Sequence, residues 1–339
     1  MSLVEKKVKV LNGYNHTNIP FKKLSEPVIL RGLVGDWGLV KAGKSAQAAM
    51  EYLKQYSNNA TVSAFYGDKN IDGRYFYKND LSEINFERKR LPFDQVLADI
   101  DICSRDAQAG TVYMGSTTVD GCLPRFRSEN DLVFDEEYLG NANALMSIWI
   151  GNRSLISAHY DAPDNIACCA VGRRRFTLFP PEQIQNLYPG PLEPTPGGQA
   201  VSMVDFANPD FDRYPRFREA LKAGLVADLE PGDAIFYPSL WWHQVEAFDS
   251  FNVLVNYWWT TAPSFMGSPM NVLNHAMLTL RDRPEHEKQA WKYLFEYYVF
   301  GPKSNVTDHL PSQALGNLDS MDDVKARRLR ANLLRSLNR

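Results

Sequence analysis

The chain has 339 residues, of which 44% are hydrophobic and 12% aromatic, so it can bury a core larger than one minimal domain needs. Its net charge of -3 gives no global positive field for nucleic acid. No stretch approaches the ~18 apolar residues of a membrane span.

The N-terminal "MSLVEKKVKVLNGYNHTN" lacks the continuous apolar run of a signal peptide. The four cysteines, Cys103, Cys122, Cys168 and Cys169, show no CxxC spacing. Together these features suggest a reduced, cytoplasmic location. Residues 1 to about 45 read as an extended lead-in containing one short apolar strand, "EPVILRGLVGDWG". The spacing of Ala49, Met50, Leu53 and Tyr56 predicts a helix over 44–57. "ATVSAFYG", "DGRYFYKN" and "GTVYMGST" read as strands, and "LPFDQVLADIDICSR" as a helix between the last two.

From about 144 the texture becomes short β-branched and aromatic runs punctuated by Pro, Gly, Asp and Asn. They are "ALMSIWIGN", "IACCAVG", "RRFTLFPP", "DAIFYPS", "HQVEAF" and "NVLVNYWW". Many short strands with turns at near-regular spacing predict an antiparallel sandwich or barrel. A Pro- and Gly-rich insert, "YPGPLEPTPGGQAVSMVDFANPDFDRYPRF", interrupts them. From about 269 the periodicity is helical, ending in "SMDDVKARRLRANLLRSLNR" with an acidic start and a basic end that suit the helix dipole. Three segments result: an N-terminal mixed α/β region (1–143), a β-barrel core (144–262) and a helical region (263–339).

Chemistry concentrates in "SAHYDAPDN". His159 and Asp161 are two apart, so on a strand or at its exit they share a face. Alone, such a pair is more often two polar residues facing solvent than a site. Of the six histidines only His243 also falls in the β-rich segment, in "PGDAIFYPSLWWHQVEAF". Two histidines and one carboxylate on a small barrel form the facial triad of non-haem Fe(II) sites, with other metals open at this point. In "GRRRF", alternation places Arg174 on one face and Arg173 and Arg175 on the other. A guanidinium fork is an apt partner for a carboxylate. The bland alternative, a solvated basic edge, suits Arg173 and Arg175.

The run from "SAHYDAPDN" through "PGDAIFYPSLWWHQVEA" to "NVLVNYWW" resembles the JmjC-domain, cupin-like hydroxylases, and among them most of all the asparaginyl hydroxylase that inhibits hypoxia-inducible factor. The resemblance implies a mainly β fold with α elements, a double-stranded β-helix (jelly-roll) with helical N-terminal elements and a C-terminal helical tail. It implies an Fe(II)- and 2-oxoglutarate-dependent dioxygenase that uses O2, releases succinate and CO2, and hydroxylates a C–H bond of a protein, peptide or small-molecule substrate. On that likeness His159, Asp161 and His243 match the iron ligands. Tyr113, Asn165, Asn256 and Trp258 match residues lining the co-substrate pocket. Arg174 stands where relatives place a lysine for the far carboxylate, and Ile156 where a threonine hydroxyl would assist, with Ser157 one step away. The tail implies a homodimer, and no nucleic-acid or membrane partner is indicated. The alternatives are a cupin metalloenzyme that does not use 2-oxoglutarate and a JmjC-like binding module without catalysis.

Overall fold

The computed structural model describes residues 3–106, 108–139 and 143–338. Two compact units divide the chain, Met1–Thr261 and Ala262–Arg339.

Among the described residues fourteen strands build the first unit: β1 (Lys9–Leu11), β2 (Val28–Leu30), β3 (Thr61–Gly67), β4 (Arg74–Tyr75), β5 (Phe86–Pro92), β6 (Thr111–Thr118) and β7 (Leu145–Gly151), followed by β8 (Ser154–Tyr160), β9 (Asp164–Val171), β10 (Arg174–Phe179), β11 (Leu225–Leu229), β12 (Ala234–Tyr237), β13 (Trp242–Ala247) and β14 (Asn252–Trp259). They form a nine-stranded sheet in the order β1-β2-β12-β9-β14-β7-β6-β3-β5 and a five-stranded sheet in the order β11-β10-β13-β8-β4. All pairings are antiparallel except β1 with β2 and β4 with β8. This is the jelly-roll, double-stranded β-helix arrangement of a cupin.

The expected boundary after residue 143 abuts residues 140–142, which lie outside the described residues. Strands from both sides of it share one sheet, for β6 pairs β7. The N-terminal region therefore supplies sheet edges to the barrel, and its lead-in already contains β1 and β2.

Side-chain alternation sorts the large sheet into two faces. On one face Ile166, Cys168, Met146, Ile148, Val253, Val255 and Tyr257 pack with Leu53, Phe93, Val96 and Ile100 of the helices Ala46–Tyr56 and Phe93–Arg105. On the other face Ala167, Cys169, Ile235 and Leu254 meet Phe176 and Leu178 of the small sheet. A central strand such as β9 is buried on both faces, so it reads as a continuous apolar run. Its adjacent thiols, Cys168 and Cys169, face opposite ways, and all four cysteines are free.

Several elements escape the sequence patterns, among them the helix Gly38–Ala42 and the three that follow. β5, "FERKRLP", is the outer edge of the large sheet; it shows Glu87, Arg88, Lys89 and Arg90 to solvent, a charged edge with no apolar alternation. β11 is only five residues long. The helix Phe217–Ala223 lies inside the Pro- and Gly-rich insert and buries Phe217 and Ala220.

The second unit is helical, with helices Met270–Thr279, Glu285–Phe295 and Asp323–Leu337, the last capped by Asp322. Among the described residues no helix is long and apolar enough to cross a membrane.

Candidate active site

Inward-facing residues of both sheets converge on one cavity between them. β9 contributes Asn165, β10 Arg174 and Phe176, β12 Tyr237, and β14 Leu254, Asn256 and Trp258. Each set keeps the two-residue phase of its strand. β8 breaks that phase. His243 pairs with His159 and Val245 with Ile156, so β8 spends three residues where β13 spends two. The resulting bulge brings both Ile156 and His159 into the cavity, although they differ by an odd number. Ser157 is buried but is not among the lining residues, so it does not replace the hydroxyl that Ile156 lacks.

His159, Asp161 and His243 offer ligand atoms that all lie within 4.8 Å of one another. His243 Nε2 is 3.6 Å from Asp161 Oδ2, and the imidazole centroids are 4.3 Å apart. The turns carrying these groups are tied together: the Leu240 amide donates to the Asp161 carbonyl, and the Ser239 amide to the Asp164 carboxylate. Leu240 itself sits at φ +63°, a left-handed conformation that a leucine holds only under constraint.

Each imidazole has one nitrogen committed. His159 Nδ1 lies 3.0 Å from the Ser157 carbonyl and His243 Nδ1 2.9 Å from the Trp241 carbonyl. A carbonyl only accepts, so each Nδ1 carries the hydrogen and each Nε2 lone pair is free for a ligand. Burial, reinforced by the neighbouring His159, pushes the His243 pKa down to about 4, and only Asp161 and the Trp241 carbonyl oppose this. His243 is therefore neutral at pH 7, as a metal ligand must be. One ion at the usual 2.0–2.2 Å would bridge these gaps. The donor set fits a divalent metal with open positions.

Arg174 is 2% exposed, and its Nε and Nη2 have no hydrogen-bond partner. Burial lowers its pKa, but a guanidinium keeps its charge in a protein. A buried, stranded fork facing a cavity is costly unless an anion joins it. Its neighbours point elsewhere. Arg173 pairs with Asp249 at 2.9 Å in solvent, and Arg175 with Asp228 at 2.6 Å. Tyr113 lines the same cavity, its hydroxyl pushed up to about 12 by burial and so held as a donor.

All eight residues singled out from the sequence line this one cavity. Sequence reasoning missed Trp149 and Tyr237, which also line it. Trp149 Nε1 donates to Asn256 Oδ1 at 2.7 Å, and the Tyr237 ring lies 4.6 Å from that of His243. Tyr237 was findable, because it falls in "AIFYP" directly before the turn that delivers His243. Trp149 becomes relevant only once β7 pairs with β14.

Residues 20–265 match the family model described as a cupin-like domain. The chain belongs to that cupin-like family. It is 26% identical over 264 residues to the lysine-specific demethylase JMJ31 of Arabidopsis thaliana, covering 69% of this chain and 46% of the relative. It is 34% identical over 143 residues to human HSPB1-associated protein 1, covering 39% of this chain and 28% of the relative. It is 32% identical over 148 residues to the mouse tRNA wybutosine-synthesizing protein 5, covering 39% and 44%. The chain thus spans less than half the length of these three relatives.

Proposed function

We propose that the chain is an Fe(II)- and 2-oxoglutarate-dependent oxygenase that hydroxylates a C–H bond, most suitably of a protein or peptide side chain. The observation that carries this reading is the buried, unpartnered Arg174 in the same cavity as a two-histidine, one-carboxylate set. His159, Asp161 and His243 would hold the metal through one face and leave the opposite positions open. Fe(II) with 2-oxoglutarate and O2 supplies the oxidising chemistry, which yields succinate, CO2 and a hydroxylated carbon.

The chain's own residues bind and orient. The backbone carbonyls of Ser157 and Trp241 fix the imidazole tautomers. Arg174 receives the distal carboxylate, with Tyr113 as a second donor. Asn165, Asn256 and Trp258 shape the wall and limit water. Four free thiols suit a reducing compartment, the cytoplasm. The narrower likeness to an asparaginyl hydroxylase favours a peptide. The demethylase name among the relatives adds an N-methyl carbon as an alternative position, where hydroxylation would release formaldehyde.

The test is anaerobic titration of Fe(II)-loaded protein with 2-oxoglutarate, then an O2 pulse and a succinate assay, with His159→Ala and Asp161→Ala alongside. Binding and succinate in the wild type alone support the reading. Metal binding with no succinate would favour a cupin enzyme of another class, and no metal binding a non-catalytic module.

We also propose that the second unit pairs two copies of the chain. Trp291, Tyr293, Leu294, Tyr298, Val299 and Phe300 are exposed, as are Leu333, Leu334 and Leu337 of the terminal helix. Sedimentation of the full chain should give twice 38.5 kDa, and Leu333→Glu with Leu337→Glu should reduce it to one copy.

A further inference from the structure

The cavity wall contains a hydrogen-bond chain with a fixed direction. The Trp149 indole can only donate, and it donates to Asn256 Oδ1 at 2.7 Å. With its oxygen committed, the Asn256 amide turns its NH2 group to Asn165 Oδ1 at 3.2 Å. Asn165 in turn gives its own NH2 group to the Tyr237 hydroxyl oxygen at 2.6 Å. Reversing any single link would set two N–H groups against each other. The Tyr237 oxygen is therefore an acceptor on its Asn165 side, and its proton must leave in another direction. Among the described residues no protein group accepts that proton within hydrogen-bond distance. Tyr237 is only 3% exposed and lines the same cavity as Arg174, whose Nε and Nη2 are also without partners.

We propose that Tyr237 is a ligand-binding residue that presents its hydroxyl proton to a carboxylate oxygen of the bound co-substrate, and that Trp149 sets this direction from the far end of the chain. The inference rests on the proposed use of 2-oxoglutarate. A chain of the opposite polarity would have Tyr237 donate to Asn165 and turn lone pairs toward the ligand, repelling a carboxylate. The indole at the anchor position excludes that arrangement, so the cavity meets its ligand with donors from Arg174 and Tyr237 together. Tyr237 binds; Trp149 positions.

The experiment is calorimetric titration of the Zn(II)-loaded protein with 2-oxoglutarate, which avoids turnover. Tyr237→Phe should keep its metal content and weaken binding roughly 10- to 100-fold, the worth of one hydrogen bond to a charged group. Trp149→Phe should weaken binding by a smaller factor, and it should add nothing in the Tyr237→Phe background, because its effect passes through that hydroxyl. Equal affinity in wild type and Tyr237→Phe overturns the donor assignment and leaves the oxygenase reading intact. Full additivity of the two substitutions overturns the positioning role of Trp149. If metal-loaded wild type fails to bind 2-oxoglutarate, the oxygenase reading falls, and succinate and citrate are titrated against the same pair of proteins. A carboxylate weakened by Tyr237→Phe then keeps the donor assignment, and binding of neither overturns it.

Discussion

Replacing Arg174 with methionine should move stability and ligand binding in opposite directions. The native guanidinium is buried with Nε and Nη2 unpartnered. Each stranded buried polar group costs about 1–3 kcal/mol. Water in the cavity offsets part of that, so removing the fork should stabilise the ligand-free protein by about 2 kcal/mol. Methionine is unbranched and fills the vacated space without a new polar group. For a unit of this size that gain raises Tm by roughly 4–8 °C. Binding should suffer instead. Two charge-assisted bonds to one carboxylate are worth about 3–6 kcal/mol together, so affinity for 2-oxoglutarate should drop about 100-fold or more. Melting of the protein in a chelator gives the first quantity and calorimetry of the Zn(II) form gives the second. Arg173→Met, which loses only an exposed pair with Asp249, should change both little. An Arg174→Met protein that melts lower and binds 2-oxoglutarate normally would refute the reasoning, because the guanidinium would then be a structural group.

Acid should destabilise the metal-free protein through His243. Its pKa falls from the ordinary 6.5 to about 4 on folding. Between these values the unfolded chain takes a proton that the native state refuses, so stability is lost as pH falls from about 6.5 to 4, by roughly 3 kcal/mol. His243→Gln should flatten that slope in thermal melts from pH 7 to 4.5, and identical slopes would place the cause elsewhere. Gly172→Ala should lower Tm by roughly 4–8 °C. Gly172 turns the chain from β9 into β10 at φ +73°, and an added Cβ would strike the buried Asn252 side chain. An unchanged melting temperature would show that this turn can shift freely.

Features that depend on local geometry were legible in the residues alone. A histidine and an aspartate two apart must share a face, and alternation in "GRRRF" separates Arg174 from Arg173 and Arg175. Helical spacing marks Ala46–Tyr56 within the expected 44–57, and Phe93–Arg105 begins where the apolar stripe begins. Each of these depends on torsions within a few residues, so each leaves a period in the sequence. The likeness to the JmjC hydroxylases named the pocket residues, and the structure gathers them around one cavity.

The remaining features depend on packing between segments far apart in the chain. β5 has no alternation to read, because an edge strand with a wet face is free to be charged. The bulge in β8 is a property of its pairing with β13, and it alone makes Ile156 and His159 neighbours in the cavity. Trp149 and Tyr237 sit on strands that reach the site through distant partners, β7 against β14, where Trp149 faces Leu254, and β12 against β9, where Tyr237 faces Asn165. Register between distant strands is set by how both faces of a sheet pack at once, and no local pattern encodes that. The direction of the Trp149–Asn256–Asn165–Tyr237 chain follows from the same pairing, since four side chains from four strands must meet before any one donor can orient the others.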